Sequence, residues 1–156
     1  MTAQDVIERL DLSPLPGEGG YYRQTWRNGS GTAIYFLLTP GEDGFSALHK
    51  LTETEIYHFY AGDPVRLALF PPDGPPREVL LGSRLHRGEV PQYVVPAGTI
   101  QGSRLAEGGR WALLGTTMAP GFTPEGFELS DRSELLERYP GQGNLIRDLT
   151  RTGAAE

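Results

Sequence analysis

The chain of 156 residues has no cysteine, which excludes disulfides and thiolate chemistry outright. It has no basic excess either: 14 Lys and Arg stand against 20 Asp and Glu, a formal net charge of -6. A nucleic-acid partner needs a basic surface to neutralise phosphates, and no basic patch interleaved with aromatics is present. The longest apolar run, AIYFLL, is far too short to span a bilayer, so no membrane partner is expected. The opening MTAQDVIERL carries acids and lacks the apolar segment of a secretion signal, which makes a cytoplasmic location the expectation. Internal repeats and charge blocks are also missing.

What the chain does have is turn-forming residues: 21 glycines and 13 prolines, spread along its length. Between them lie short β-type segments, among them YYRQTWR, TAIYFLL, FSALHKL, EIYHFYAG, VRLALFPP, REVLLG, QYVVPAG and WALLGTTMAPG. Asn28-Gly29, Pro40-Gly41, Asp73-Gly74 and Gly108-Gly109 punctuate them. Thr2 to Leu10 reads as a capped N-terminal helix, and Ser130 to Tyr139 as a second helix stopped by Pro140-Gly141. The end, TGAAE, reads as frayed. The connections are too short for parallel crossovers, so the expectation is an all-β, antiparallel barrel with a helix at each end. One domain is expected over residues 1–156, with the barrel over about 20–128 and the C-terminal helix over about 130–139.

The stretch FSALHKLTETEIYHFYAGDP, residues 45–64, holds two of the three histidines with carboxylates between them. Strand alternation puts Glu55, Tyr57 and Phe59 on one face and Ile56, His58 and Tyr60 on the other. His49 joins the Glu55 face if the residues between keep an even count, and a turn within LTETE would upset that parity. Glu55 on a mainly apolar strand needs a partner if buried. The row of Ile56, His58 and Tyr60 is too apolar for open solvent, and is expected to be covered by a terminal segment or a second copy.

Taken in order, GYYRQTWR, TAIYFLL, FSALHKLTETEIYHFYAGDP, HRGEVPQYVVPAGTIQGSRL and ALLGTTMAPGFTPEGFEL resemble the cupin superfamily, the RmlC-like jelly rolls. Within it they are similar to a short bacterial and fungal branch of unknown function. The resemblance implies a double-stranded β-helix (jelly-roll) barrel and a homodimer. It also implies a metal site that this chain departs from. His49, Glu55 and Gly62 match the first cupin motif, but Leu51 stands where its second histidine would be. Pro96 and Gly98 match the second motif, with Gln101 in place of its histidine. No metal cofactor is therefore favoured; the divalent-metal alternative would use His49, Glu55 and Gln101, or borrow His58.

These readings lead to a small-molecule ligand in the barrel. The preferred function is a metal-independent isomerase or epimerase acting on a sugar-like or carbonyl-containing substrate. Its catalytic candidates are His49 as base, Glu55 orienting the ring, and Tyr57 returning the proton. Arg23, Tyr35, His58 and Gln101 are the candidate ligand contacts, Arg23 by bidentate hydrogen bonds to an anionic group. A metal-dependent oxygenase or isomerase and a non-catalytic binding module are the alternatives. Fold alone does not choose among them.

Overall fold

The computed structural model describes residues 1–152, so the TGAAE end lies, apart from Thr152, outside the described residues except for its first position. Helix α1 (Ala3–Leu10) opens the chain. Thr2 caps it reciprocally with Asp5, each side chain accepting from the other's backbone amide. Eleven strands follow in the described residues: β1 (Ser13–Pro14), β2 (Tyr21–Asn28), β3 (Gly31–Leu38), β4 (Ser46–Leu51), β5 (Glu55–Gly62), β6 (Val65–Phe70), β7 (Arg77–Leu81), β8 (Gln92–Val95), β9 (Ile100–Leu105), β10 (Ala112–Met118) and β11 (Phe127–Leu129). Helices α2 (Arg132–Arg138) and α3 (Gly143–Asp148) close the chain. No helix among the described residues is long and apolar enough to cross a membrane.

The strands form two sheets whose ladders are all antiparallel, ordered β1-β2-β3-β10-β5-β8 and β11-β4-β9-β6-β7. From β3 onward the chain passes from one sheet to the other at every connection except the β6–β7 hairpin, giving the jelly-roll barrel. Strands β1 and β11 escape the sequence reading because they are short edge pieces. Pro14, with no N–H to donate, fits such an edge. At the end of β5, Gly62 has φ +95°, and a Cβ there would sit 2.4 Å from the Trp111 carbonyl oxygen. That close approach lets β5 turn sharply towards β6.

Alternation sorts the barrel's apolar residues into three clusters. Phe36, Leu38, Tyr57, Leu67, Leu69 and Leu114 point between the sheets and fill one end of the barrel. Leu48, Ala68 and Phe70 face outward from the five-stranded sheet and are covered by Leu135, Ile146 and Leu149 of the C-terminal segment. Val6 and Leu12 of the N-terminal segment cover Leu37 on the outside of the larger sheet. Each fully buried aliphatic side chain contributes about 1.5–3 kcal/mol over its exposed state.

Of the covers expected over Ile56, His58 and Tyr60, the terminal segments are ruled out. Segment α1 reaches only the Leu37 end of that face, and the C-terminal helices pack on the opposite sheet. Tyr60 remains 54% exposed, Val94 48% and Trp26 50%.

Candidate functional site

Strands β4 and β5 belong to different sheets, so His49 and Glu55 do not share a face of one strand. The turn through Thr52, Glu53 and Thr54 carries the chain across the barrel mouth, and the two side chains enter the cavity from opposite walls. His49 points inward because Leu48, beside it, is claimed by the outer cluster under the C-terminal helices. Glu55 points inward with Tyr57, on the strand that pairs with Thr116 and Met118 of β10.

Between the sheets lies a cavity of about 150 Å³. Its walls are mainly apolar, with Ile34, Phe36, Leu51, Met118, Phe122 and Phe127 among them, and its polar end holds Glu18, His49, Glu55 and Thr116. His49 is 1% exposed. Its Nδ1 lies 2.7 Å from the Ala47 carbonyl oxygen, which can only accept, so Nδ1 carries the hydrogen. Its Nε2 is then left as a bare acceptor in the neutral ring. Stacking on Phe127, with centroids 5.2 Å apart, holds the imidazole in this plane. The nearest carboxylate oxygen is Glu18 Oε1, 3.9 Å from Nε2. The expectation that Glu55 orients the ring is thus corrected: the Ala47 carbonyl does so.

Glu18 went unrecognised in the sequence because it sits in the PLPGEGG break, which reads as punctuation. The loop is in fact firmly held. The Ser46 hydroxyl donates to Glu18 Oε2 at 2.7 Å, and the Ala47 N–H donates to the Glu18 carbonyl at 2.8 Å. Gly19 permits this packing: at φ +99°, a Cβ would lie 2.2 Å from the Phe45 carbonyl oxygen. Arg151 ties the loop from below, its guanidinium donating to the carbonyls of Glu18 (2.7 Å), Glu42 (2.6 Å) and Phe45 (2.9 Å).

From the cavity wall a buried chain of hydrogen bonds joins the two sheets. Tyr57 Oη donates to Gln101 Oε1 at 2.7 Å, and Gln101 Nε2 donates to Glu55 Oε1 at 3.1 Å. Burial raises the Glu55 pKa from 4.5 to about 7, with the Glu18 charge adding to the rise and His49, Thr116 and Gln101 opposing it. Burial likewise pushes the Tyr57 phenol well above its ordinary value, reinforced by Glu55 and Glu18. Its hydroxyl is committed to Gln101, so the direct proton-returning role expected of Tyr57 is corrected to a link in the chain behind Glu55.

The remaining candidates lie elsewhere. Arg23 Nε donates to the Leu10 carbonyl at 2.7 Å, and its guanidinium lies over the Tyr35 ring on the outer face near α1. His58 Nε2 pairs with the Thr117 hydroxyl at 2.9 Å, and its ring stacks with Tyr60. Arg23, Tyr35 and His58 do not line the cavity, which corrects their assignment as contacts to a ligand held there. A metal set of His49, Glu55 and Gln101 does not fit the geometry. Gln101 turns its NH₂ towards Glu55 and its oxygen is taken by Tyr57. Among the described residues no three His, Asp or Glu side chains converge as ligands. His58, on the outer face, cannot complete one.

This architecture can be set beside known proteins. Residues 4–130 match the family described as Cupin superfamily (DUF985). The chain belongs to this family. It is 33% identical over 112 residues to the uncharacterized protein YML079W of Saccharomyces cerevisiae, a match covering 70% of this chain and 54% of that protein. The chain thus spans about half the length of the curated relative it matches. A hypothetical protein from Leishmania major superposes with a TM-score of 0.89 at 34% identity, over 96% of this chain and 99% of that one. Oxalate decarboxylase from Bacillus subtilis superposes with a TM-score of 0.60 at 17% identity, over 90% of this chain and 37% of the decarboxylase. At that identity the likeness speaks to the cupin fold alone.

Proposed function

We propose that this cupin is a metal-free, small-molecule enzyme of the isomerase type, moving a proton on the carbon beside a carbonyl group. The observation that carries the reading is the His49 ring. Its Nδ1 is fixed by the Ala47 carbonyl, so a bare Nε2 faces a cavity shared with a carboxyl whose pKa is raised to about 7. A base and a neutral acid facing one another across a largely apolar cavity are the parts that carbonyl-to-enol chemistry needs.

In the forward step His49 Nε2 takes the proton from the α-carbon, and the C–H electron pair becomes the C=C bond of the enol. The carbonyl π pair moves onto oxygen, where protonated Glu55 supplies the proton. Return of the proton from the His49 imidazolium to carbon, while Glu55 takes back the enol O–H proton, restores the carbonyl and both side chains. The Gln101 and Tyr57 chain steadies Glu55 in both of its forms. Each proton transfer of this kind contributes about 10²–10⁴-fold in rate.

The test is solvent deuterium exchange into small carbonyl compounds, aminoacetone and phenylacetaldehyde among them, followed by proton NMR. Protein-dependent exchange should survive a chelator and fall at least a hundredfold in His49→Asn. Exchange that continues unchanged in His49→Asn would refute the assignment.

A further inference from the structure

The polar end of the cavity offers strong acceptors at Glu18 and His49 and no cation. Glu18 offers Oε1, its other oxygen being satisfied by Ser46. His49 offers a bare Nε2, 99% buried with its residue and 3.9 Å from that Glu18 oxygen. Glu55 adds a second carboxyl from the facing wall. No Lys or Arg lines the cavity, and the nearby guanidinium of Arg151 is turned to backbone carbonyls of the loop below. A phosphate or carboxylate brought here would meet the Glu18 carboxylate and no cation, at a cost that burial magnifies.

The cavity's size and walls narrow the ligand further. At about 150 Å³ it matches the volume that holds a molecule the size of benzene. Phe36, Phe122 and Phe127 give it aromatic walls, with Phe127 stacked on His49. Aromatic faces attract cations, while the Glu18 carboxylate accepts their hydrogen bonds.

We infer that the ligand of this cavity is a compact amine: a protonated nitrogen, bound at Glu18 Oε1, on an apolar body no larger than a single substituted ring. This deepens the proposed function and rests on it only for the ligand's carbonyl group, which would lie against Glu55. With the ammonium at Glu18 and the carbonyl at Glu55, His49 Nε2 is left free to take the proton from carbon. The substrate class is then a small amino-carbonyl compound, and sugar nucleotides and keto acids are excluded from the cavity.

A charge series of nearly equal size and shape tests this on the wild-type protein: benzylamine, benzyl alcohol and benzoate, by isothermal titration calorimetry at pH 7. Benzylamine should bind at least tenfold more tightly than benzyl alcohol, and benzoate should not bind. In Glu18→Gln, which retains an acceptor for Ser46, the preference for amine over alcohol should shrink to within twofold. A melting curve checks that this variant is folded, and the wild-type series stands even if it is not. Benzoate binding as tightly as benzylamine, or benzylamine failing to bind at millimolar concentration, overturns the inference. Neither result touches the proton-transfer reading, which stands or falls on His49-dependent deuterium exchange.

Discussion

Replacing Glu55 by glutamine isolates the energetic cost that the cavity imposes on a carboxylate. Glu55 is 8% exposed, and its pKa rises from 4.5 in the unfolded chain to about 7 in the folded one. Below pH 4.5 both states hold the proton and the group has no net effect. Between about 4.5 and 7 the unfolded chain releases it while the folded protein retains it, so stability falls as pH rises. Above about 7 both states are ionised and the full penalty persists. At about 1.4 kcal/mol for each tenfold difference in proton affinity, the penalty is on the order of 3 kcal/mol. Glu55→Gln keeps an oxygen to accept from Gln101 and is neutral at every pH. Urea unfolding of both proteins at pH 5, 6, 7 and 8 should therefore show the variant gaining on the wild type as pH rises, by about 3 kcal/mol at pH 8. Titrating groups common to both largely cancel in the difference. A difference that stays flat from pH 5 to 8 would refute the claim that burial holds Glu55 neutral.

Two further outcomes follow from the packing. Arg151→Ala removes the guanidinium from the Glu18, Glu42 and Phe45 carbonyls. It should cost about 2–3 kcal/mol and speed amide exchange at Ala47, whose N–H bonds to Glu18; unchanged protection there would contradict the tie. The exposed row of Trp26, Tyr60 and Val94 is expected to meet a second copy of the chain, giving a light-scattering mass twice 17.1 kDa that halves in the double variant Trp26→Glu, Val94→Glu. A wild-type mass of one chain would rule that contact out.

The strands were legible because each is short, alternating and bounded by Gly or Pro, and the helix ends because their caps are local. Inward placement of Glu55 was legible for the same reason. The meeting of His49 with Glu55 was not: their relation depends on β4 and β5 lying in opposite sheets, which no spacing along Lys50 to Thr54 encodes. Glu18 was hidden by its glycines, which signal a turn whether or not the turn carries a functional side chain. Arg151 reaches the same loop from more than a hundred residues away, beyond any local pattern. Gln101 was visible as a departure from the cupin motif. Its role in linking Glu55 to Tyr57 emerges only when β5 and β9 face each other.

The state of the His49 ring is the central claim, and long-range proton–nitrogen correlation NMR reads it directly. With signals assigned through His49→Asn, the neutral ring should show its hydrogen on Nδ1 and a bare, unprotonated Nε2. A neutral His49 carrying its hydrogen on Nε2 would point a donor into the cavity, remove the base, and contradict the account.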